Sequence, residues 1–281
     1  MKIGIIGLGL MGGSIAKALK SQHEIHALDH NPQTIEFALS NHIIDYGYQD
    51  KIEFFNAVQI VYICLYPRAL VKFIKEAKND ILPGTVLIEI SGVKTSVVNA
   101  LEPYIDNRFE LIYTHPVAGR EKIGVASSSA SIFTNANYII TPLDRNTTKN
   151  LELVDSLARS MGFTSVSYLS PEKHDEIIAY TSQLTHILSL ALVLSDDQSF
   201  ETVKFIGDSY RDLTRIAMIN APLWSELFME NKEILLKKIK NFKKTLEKYE
   251  NCLESVDETQ LIELMTAAKD IRLGMEKGAS R

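Results

Sequence analysis

The chain has 281 residues and a formal net charge of −5, with 46% hydrophobic and 23% charged residues. That composition suits a soluble protein of one large domain or two ordinary ones with a full core, and the negative balance argues against a nucleic-acid surface. Cys64 and Cys252 lie far apart with no metal or redox spacing around them. No metal site and no signal peptide are expected, and the longest apolar stretch, near Ile187 to Leu194, is too short to span a bilayer. The expected compartment is the reducing cytosol.

Residues Lys2 to Gly13 open the chain with a short apolar strand (Ile3, Ile5, Ile6) and then Gly7, Gly9 and Gly12 in Gly-x-Gly-x-x-Gly spacing, running through Leu10 into a helix from Ser14 to Leu19. The first glycine permits a tight turn, the second close approach of a pyrophosphate, and the third packing of helix on strand. Free N–H groups at the helix start favour that anion. A second strand, Ile25 to Leu28, ends at Asp29, seventeen residues beyond Gly12. This spacing fits a carboxylate on the adenosine ribose and predicts NAD over NADP, since His30 and Asn31 offer no arginine to a 2′-phosphate.

Further strands are predicted at Ala57 to Leu65, Thr85 to Ile90, Glu110 to Thr114, Tyr138 to Thr141 and Ser165 to Tyr168, with helices at Leu70 to Lys78, Ser96 to Leu101 and Asn150 to Met161. Continuous Val/Ile/Leu strands joined by helices imply a parallel sheet covered on both faces. From Ser170-Pro171, an N-cap followed by proline at the first helical position, the pattern is helical only. Helices are expected to run towards Leu194, from Glu201 to Ile219, from Leu223 to about Leu253, and from Asp257 behind a capping box. The reading is an α/β Rossmann-type dinucleotide-binding domain at 1–168 followed by an all-α substrate and dimerisation domain at 169–281. The apolar stripe through Trp224, Leu227, Phe228, Ile234, Leu235 and beyond, with a second through Leu261, Leu264 and Met265, predicts a homodimer built from the helical part.

Ligands of open α/β sheets bind beyond the carboxyl ends of the strands. Three segments fall there: Leu65-Tyr66-Pro67, Glu89 to Lys94 with Ser91 and Gly92, and Thr114 to Glu121. His115 is either a neutral-pH proton acceptor delivered to the crevice, titrating near the ordinary histidine value of about 6.5, or a histidine satisfied within a proline turn. Ser182 and His186 share a helix face, either in a binding pocket or as a core histidine bonded by its own turn. Asp212 and Arg215 form either a solvated ion pair or an arginine aimed at a carboxylate. His23, His26, His30, His42 and His174 read as solvated or structural. Trp224 reads as a core anchor.

Taken together and in order, Gly7-Leu-Gly-Leu-Met-Gly-Gly-Ser-Ile-Ala16, His115-Pro-Val-Ala-Gly-Arg-Glu121, Ser182-Gln-Leu-Thr-His186, Tyr210-Arg-Asp-Leu-Thr-Arg-Ile-Ala217 and Leu223-Trp224 resemble the prephenate dehydrogenase family. The resemblance implies NAD-dependent oxidative decarboxylation of prephenate to 4-hydroxyphenylpyruvate in tyrosine biosynthesis, with arogenate as the alternative substrate. A dinucleotide-binding protein without catalysis would have no reason to keep these later segments. The resemblance also implies roles: His115 accepts the proton of the ring hydroxyl, Arg215 holds the ring carboxylate with Asp212 orienting it, His186 and Ser182 line the pocket, and Glu121 joins a polar network at its mouth. The family commonly carries Asp-x-x-Ser-x-Lys after the fourth strand. Here the serine position is Gly92, so Ser91 either supplies the hydroxyl from a shifted backbone or leaves that support missing. The proline usual before the helical histidine is Thr185.

Overall fold

Runs of Ile, Val and Leu that alternate between two buried faces build the strands. The computed structural model describes residues 1–119, 122–197 and 201–279. Eight strands form one sheet: β1 (Lys2–Ile6), β2 (Glu24–Leu28), β3 (Tyr46–Tyr48), β4 (Ile60–Ile63), β5 (Val86–Glu89), β6 (Glu110–Val117), β7 (Asn137–Thr141) and β8 (Ser165–Tyr168), in the order β3-β2-β1-β4-β5-β6-β7-β8. Helices α1 (Leu10–Leu19), α2 (Pro32–Ser40), α3 (Lys51–Ala57), α4 (Pro67–Ala77), α5 (Thr95–Leu101) and α6 (Thr148–Ser160) connect them. Ile3, Ile5, Ile88 and Ile112 face α1 and α6 in one core, whereas Ile6, Leu87 and Leu111 face α3, α4 and α5 in the other. That alternation is the period-two pleat of strands covered on both sides. The strand order reverses between β1 and β4, which opens a crevice at their carboxyl ends.

The sheet is not wholly parallel. β7 runs antiparallel to β6, with His115 opposite Ile139. The chain between them has short 3₁₀ turns in place of a crossover helix, so it returns from the end at which it left. This loop is pinned to α1, where Ser129 N–H donates to Ser14 Oγ and Lys17 Nζ donates to the Ser128 carbonyl. The strand expected from Ala57 begins only at Ile60, because Lys51–Ala57 is a two-turn helix capped by Asp50, too short to show a period.

Beyond the sheet lie α7 (Pro171–Ile178), a π-helical segment (Ala179–Leu184), α8 (Thr185–Leu194), α9 (Asp208–Thr214), α10 (Ala221–Glu230), α11 (Lys232–Glu254) and α12 (Glu258–Ala279). The Ser170 hydroxyl caps α7 as its sequence predicts. The apolar stretch near Ile187 belongs to a 24-residue helix, Pro171–Leu194, which is long and apolar enough to cross a membrane by length and composition alone. It carries, however, His174, Asp175 and Gln183 buried and hydrogen-bonded to neighbouring protein groups. The helix expected over Glu201–Ile219 is broken into α9 flanked by 3₁₀ turns. The one expected over Leu223–Leu253 breaks at Asn231, whose buried amide donates to the Asp175 carbonyl and to Gln183 Oε1.

By packing, the chain divides into Met1–Lys232 and Glu233–Arg281, a different place from the 168/169 boundary at which strand patterns cease. The helices from α7 to α10 cohere with the sheet because side chains such as Leu227 join its core. The second unit is a hairpin of α11 and α12. Asp257 Oδ1 accepts from Gln260 N–H, and the buried Cys252 thiol donates to Gln260 Oε1.

Candidate active site

The glycine-rich turn has the geometry its spacing implies. Gly7 adopts a φ of +88°, and its N–H donates to the Leu28 carbonyl. A Cβ built on Gly12 would lie 2.0 Å from the Gly7 carbonyl oxygen, so α1 approaches the turn as only glycine allows. Gly9 faces open space, and α1 starts at Leu10 with no side chain capping its N-terminal N–H groups. Those uncapped donors form an anion cradle. Asp29 braces the turn: Oδ2 accepts from Leu8 N–H at 2.8 Å and Oδ1 from Asn31 N–H at 2.9 Å. Leu65 packs beside Gly7, the Tyr66 hydroxyl accepts from Asn220 Nδ2 at 2.7 Å, and Pro67 is the buried first residue of α4.

β6 outruns β5, whose last paired residue is Glu89 opposite Tyr113. The chain after β5 therefore peels away as Ile90–Lys94 and leaves His115 facing that loop. Nδ1 of His115 hydrogen-bonds Nε2 of His174 at 2.8 Å, and a Cβ built on Gly92 would lie 3.7 Å from His115 Nε2. Leu227 of α10 closes over Gly92. Burial first, then the neighbouring His174 and Lys94, push the His115 imidazole well below the ordinary histidine range, so the unperturbed value expected from sequence does not hold. His115 is a neutral ring.

Ser91 does not support this ring. Its hydroxyl is buried and engages Glu89 Oε2 at 2.7 Å and the Val93 carbonyl at 2.9 Å, inside a cluster where Lys94 Nζ donates to Glu89 Oε1 at 2.6 Å. The reason is local: Ser91 lies two residues after Glu89, and its own N–H also donates to that carboxylate. The residue at His115 Nε2 is Gly92, one further on.

His174, read from sequence as bland, is fully buried and bonded to His115. Its Nδ1 bonds Asp175 Oδ1 at 2.8 Å, and Asp175 accepts the backbone N–H groups of Lys94 and Thr95 at the start of α5. Sequence reasoning missed His174, Asp175, Gln183 and Asn231. The one signal available was the Ser170-Pro171 cap, which sets His174 in the first turn of a helix beginning beside the last strand.

His186 donates from Nδ1 to the Ser182 carbonyl at 2.8 Å, and its ring stacks on Trp224 at 3.7 Å between centroids. The bond uses the Ser182 backbone within the π-helical turn and leaves its hydroxyl out. Trp224 lies one turn before Leu227 on α10, so the same helix reaches both His186 and Gly92. Arg215 and Asp212 are exposed, and no ion pair joins these two described residues. Helix α9 ends at Thr214 and Arg215 enters a 3₁₀ turn, which alters the i, i+3 geometry; the pair formed on α9 is Asp208–Arg211 at 3.0 Å. Glu121 lies outside the described residues. Among the described residues no cluster of His, Cys, Asp and Glu is arranged to hold a metal ion.

Residues 15–167 match the nucleotide-binding domain of prephenate dehydrogenase, and residues 170–267 match that enzyme's dimerization domain. The prephenate dehydrogenase of Lactococcus lactis is 31% identical over 99% of this chain and 79% of its own length. That of Bacillus subtilis is 29% identical over 98% of this chain and 77% of its own. The Aquifex aeolicus prephenate dehydrogenase, solved in complex with hydroxyphenyl propionate and NAD+, superimposes with a TM-score of 0.88 at 29% identity, covering 98% of each chain. With the dinucleotide cradle, the half-buried His115 and both halves matched in order, the chain belongs to the prephenate dehydrogenase family.

Proposed function

We propose that the chain is an NAD-dependent prephenate dehydrogenase, converting prephenate to 4-hydroxyphenylpyruvate and CO₂. The observation that carries this reading is His115, a neutral imidazole at the carboxyl end of β6 whose Nε2 faces the loop at Gly92. The cradle of Gly7, Gly9, Leu10 and Gly12, with Asp29 at the ribose and Leu65, Tyr66 and Pro67 beyond β4, fits NAD. Bound NAD supplies an acceptor for hydride from the hydroxyl-bearing carbon.

The protein's own part is positioning and the handling of one proton. His115 Nε2 accepts the ring-hydroxyl proton as that carbon gains carbonyl character, and returns it to the phenolic oxygen once CO₂ has left and the ring is aromatic. Arg215 holds the ring carboxylate through charge-assisted hydrogen bonds. His186, Ser182 and Asp212 line the substrate side. The half-buried Cys64 thiol, pushed up by desolvation, has no part in this chemistry.

The match of the C-terminal residues to a dimerization domain supports a homodimer. Two free cysteines and the biosynthetic relatives support the cytoplasm. The test is an assay of the purified protein with each pairing of NAD or NADP with prephenate or arogenate. NADH and 4-hydroxyphenylpyruvate should form in equal amounts, and His115→Asn should lose on the order of 10²-fold in kcat. Turnover of arogenate alone, or unchanged turnover in the His115 variant, would overturn the reading.

A further inference from the structure

We infer that His174 and Asp175 are positioning residues that fix which nitrogen of His115 carries its proton, leaving Nε2 bare to accept one from the substrate. The inference rests on the reading of His115 as the proton acceptor, but its geometry stands independently. Asp175 anchors the arrangement. Oδ1 accepts from Lys94 N–H and Oδ2 from Thr95 N–H, both at 2.8 Å, so the carboxylate sits on the first N–H groups of α5. Burial opposes its charge, but bonds from His174 and Thr95 outweigh it and hold Asp175 below the usual carboxylate value. An ionised carboxylate only accepts. His174 Nδ1, 2.8 Å away, must therefore carry the hydrogen.

His174 is itself neutral. Burial lowers it, with Lys94 adding to that, more than Asp175 raises it. A neutral ring with hydrogen on Nδ1 has a bare Nε2. That nitrogen is 2.8 Å from His115 Nδ1, so His115 must be the donor there. One hydrogen on Nδ1 leaves His115 Nε2 with its lone pair towards Gly92 and Leu227. The opposite tautomer would present an N–H to the substrate hydroxyl and could take no proton. Asp175 is the charged group bonded to His174. β7 offers Ile139, α10 offers Leu227, and the ammonium of Lys94 is bound to Glu89.

The arrangement differs from a carboxylate placed directly against a catalytic histidine, which would stabilise the imidazolium. A neutral imidazole in between passes on the orientation while keeping the charge one ring further away. His115 then stays a weak base and gives the proton back readily. No proton crosses to Asp175: when His115 is protonated at Nε2, its Nδ1–H bond to His174 persists.

The test is histidine ¹⁵N NMR of the full-length protein without substrate, near neutral pH, with His174→Gln and His174→Phe beside the wild type. The wild type should show His115 protonated at Nδ1 and bare at Nε2. A Gln at 174 offers an amide oxygen to Nδ1–H and should keep that tautomer. A Phe offers no acceptor, so the Nε2–H form should grow, and kcat should fall, towards the roughly 10⁴-fold loss that a wrong tautomer costs, with the KM for both substrates little changed. NAD binding and circular dichroism report folding of each variant. His115 protonated at Nε2 in the wild type, or a tautomer and kcat both unmoved in a folded His174→Phe, would overturn the inference. If the wild type turns over neither substrate, the proposed function fails, while the NMR result still decides the tautomer.

Discussion

Gly92 lies against the bare nitrogen of His115: a Cβ built on it would come 3.7 Å from His115 Nε2 and 3.3 Å from Cδ2 of Leu227. The second distance is tight enough that Leu227 must yield a few tenths of an ångström even for alanine. A β-branched side chain would fill the space in front of Nε2 where the substrate hydroxyl has to stand. Gly92→Val should therefore raise the substrate KM at least roughly tenfold, the loss of about 1.4 kcal/mol of binding, while the Kd for NAD stays near the wild-type value. An unchanged substrate KM would show that the hydroxyl approaches from elsewhere.

Both rings of the His115–His174 pair have native pKa values below the ordinary histidine value. The unfolded chain, titrating near 6.5, binds their protons first, so folding stability falls as pH drops from about 6.5 towards the native values, and is unaffected by these groups above that window. Activity has the same sign. The acid limb of kcat should fall below about pH 6.5 and not at it, because Nε2 stays available until the desolvated ring is protonated. Urea titrations between neutral and mildly acid pH, with a pH–rate profile, check both. A midpoint at or above the ordinary histidine value would contradict the desolvation of His115.

What the sequence made legible was local. The glycine spacing, the Asp29 strand end and the Ser170-Pro171 cap are written in adjacent residues, and each has the conformation its chemistry dictates. The His115–His174 bond joins residues 59 apart. It exists only because α7 docks by setting Asp175 on the start of α5, a tertiary event with no periodic signature. Ser91 shows the limit from the other side. Sequence offered two neighbouring hydroxyl positions, and the buried Glu89–Lys94 pair claimed the serine. The break at Asn231 was hidden for the same reason, since a helix-compatible sequence is interrupted to satisfy buried polar groups of α7 and the π-helical segment.

Asp29 uses two of its carboxylate lone pairs on Leu8 and Asn31; if it also accepts from the ribose hydroxyls as proposed, its charge would repel a 2′-phosphate. Asp29→Ser should lower kcat/KM for NAD and narrow its ratio to that for NADP, without changing substrate KM. Equal kcat/KM values for the two cofactors in the wild type would remove Asp29 as the discriminating group.

Arg215 is exposed at a helix end, so its truncation should leave folding intact. Arg215→Ala should raise the substrate KM by roughly tenfold, as expected for loss of a charge-assisted bond, with NAD affinity unchanged. Loss of NAD binding to the same degree would make the arginine structural.

Assembly follows from the second unit. α11 has 23 residues, about 35 Å of helix, and is joined to α12 by a capped turn. Leu246, Leu253, Ile262, Met265, Ile271 and Met275 are each half or more exposed along this hairpin. Apolar side chains repeating at helical spacing on both helices are unstable in water at that exposure and are what an isologous interface buries. A stable pairing needs on the order of 1,200–2,000 Å², which two such hairpins can supply. Light scattering after gel filtration at low micromolar concentration should give about twice the chain mass of 31.6 kDa. Met265→Asp combined with Ile271→Asp should shift the mass towards one chain, because charge on the interface cannot be desolvated cheaply. A wild-type mass equal to a single chain would mean that the exposed stripes serve some purpose other than self-association.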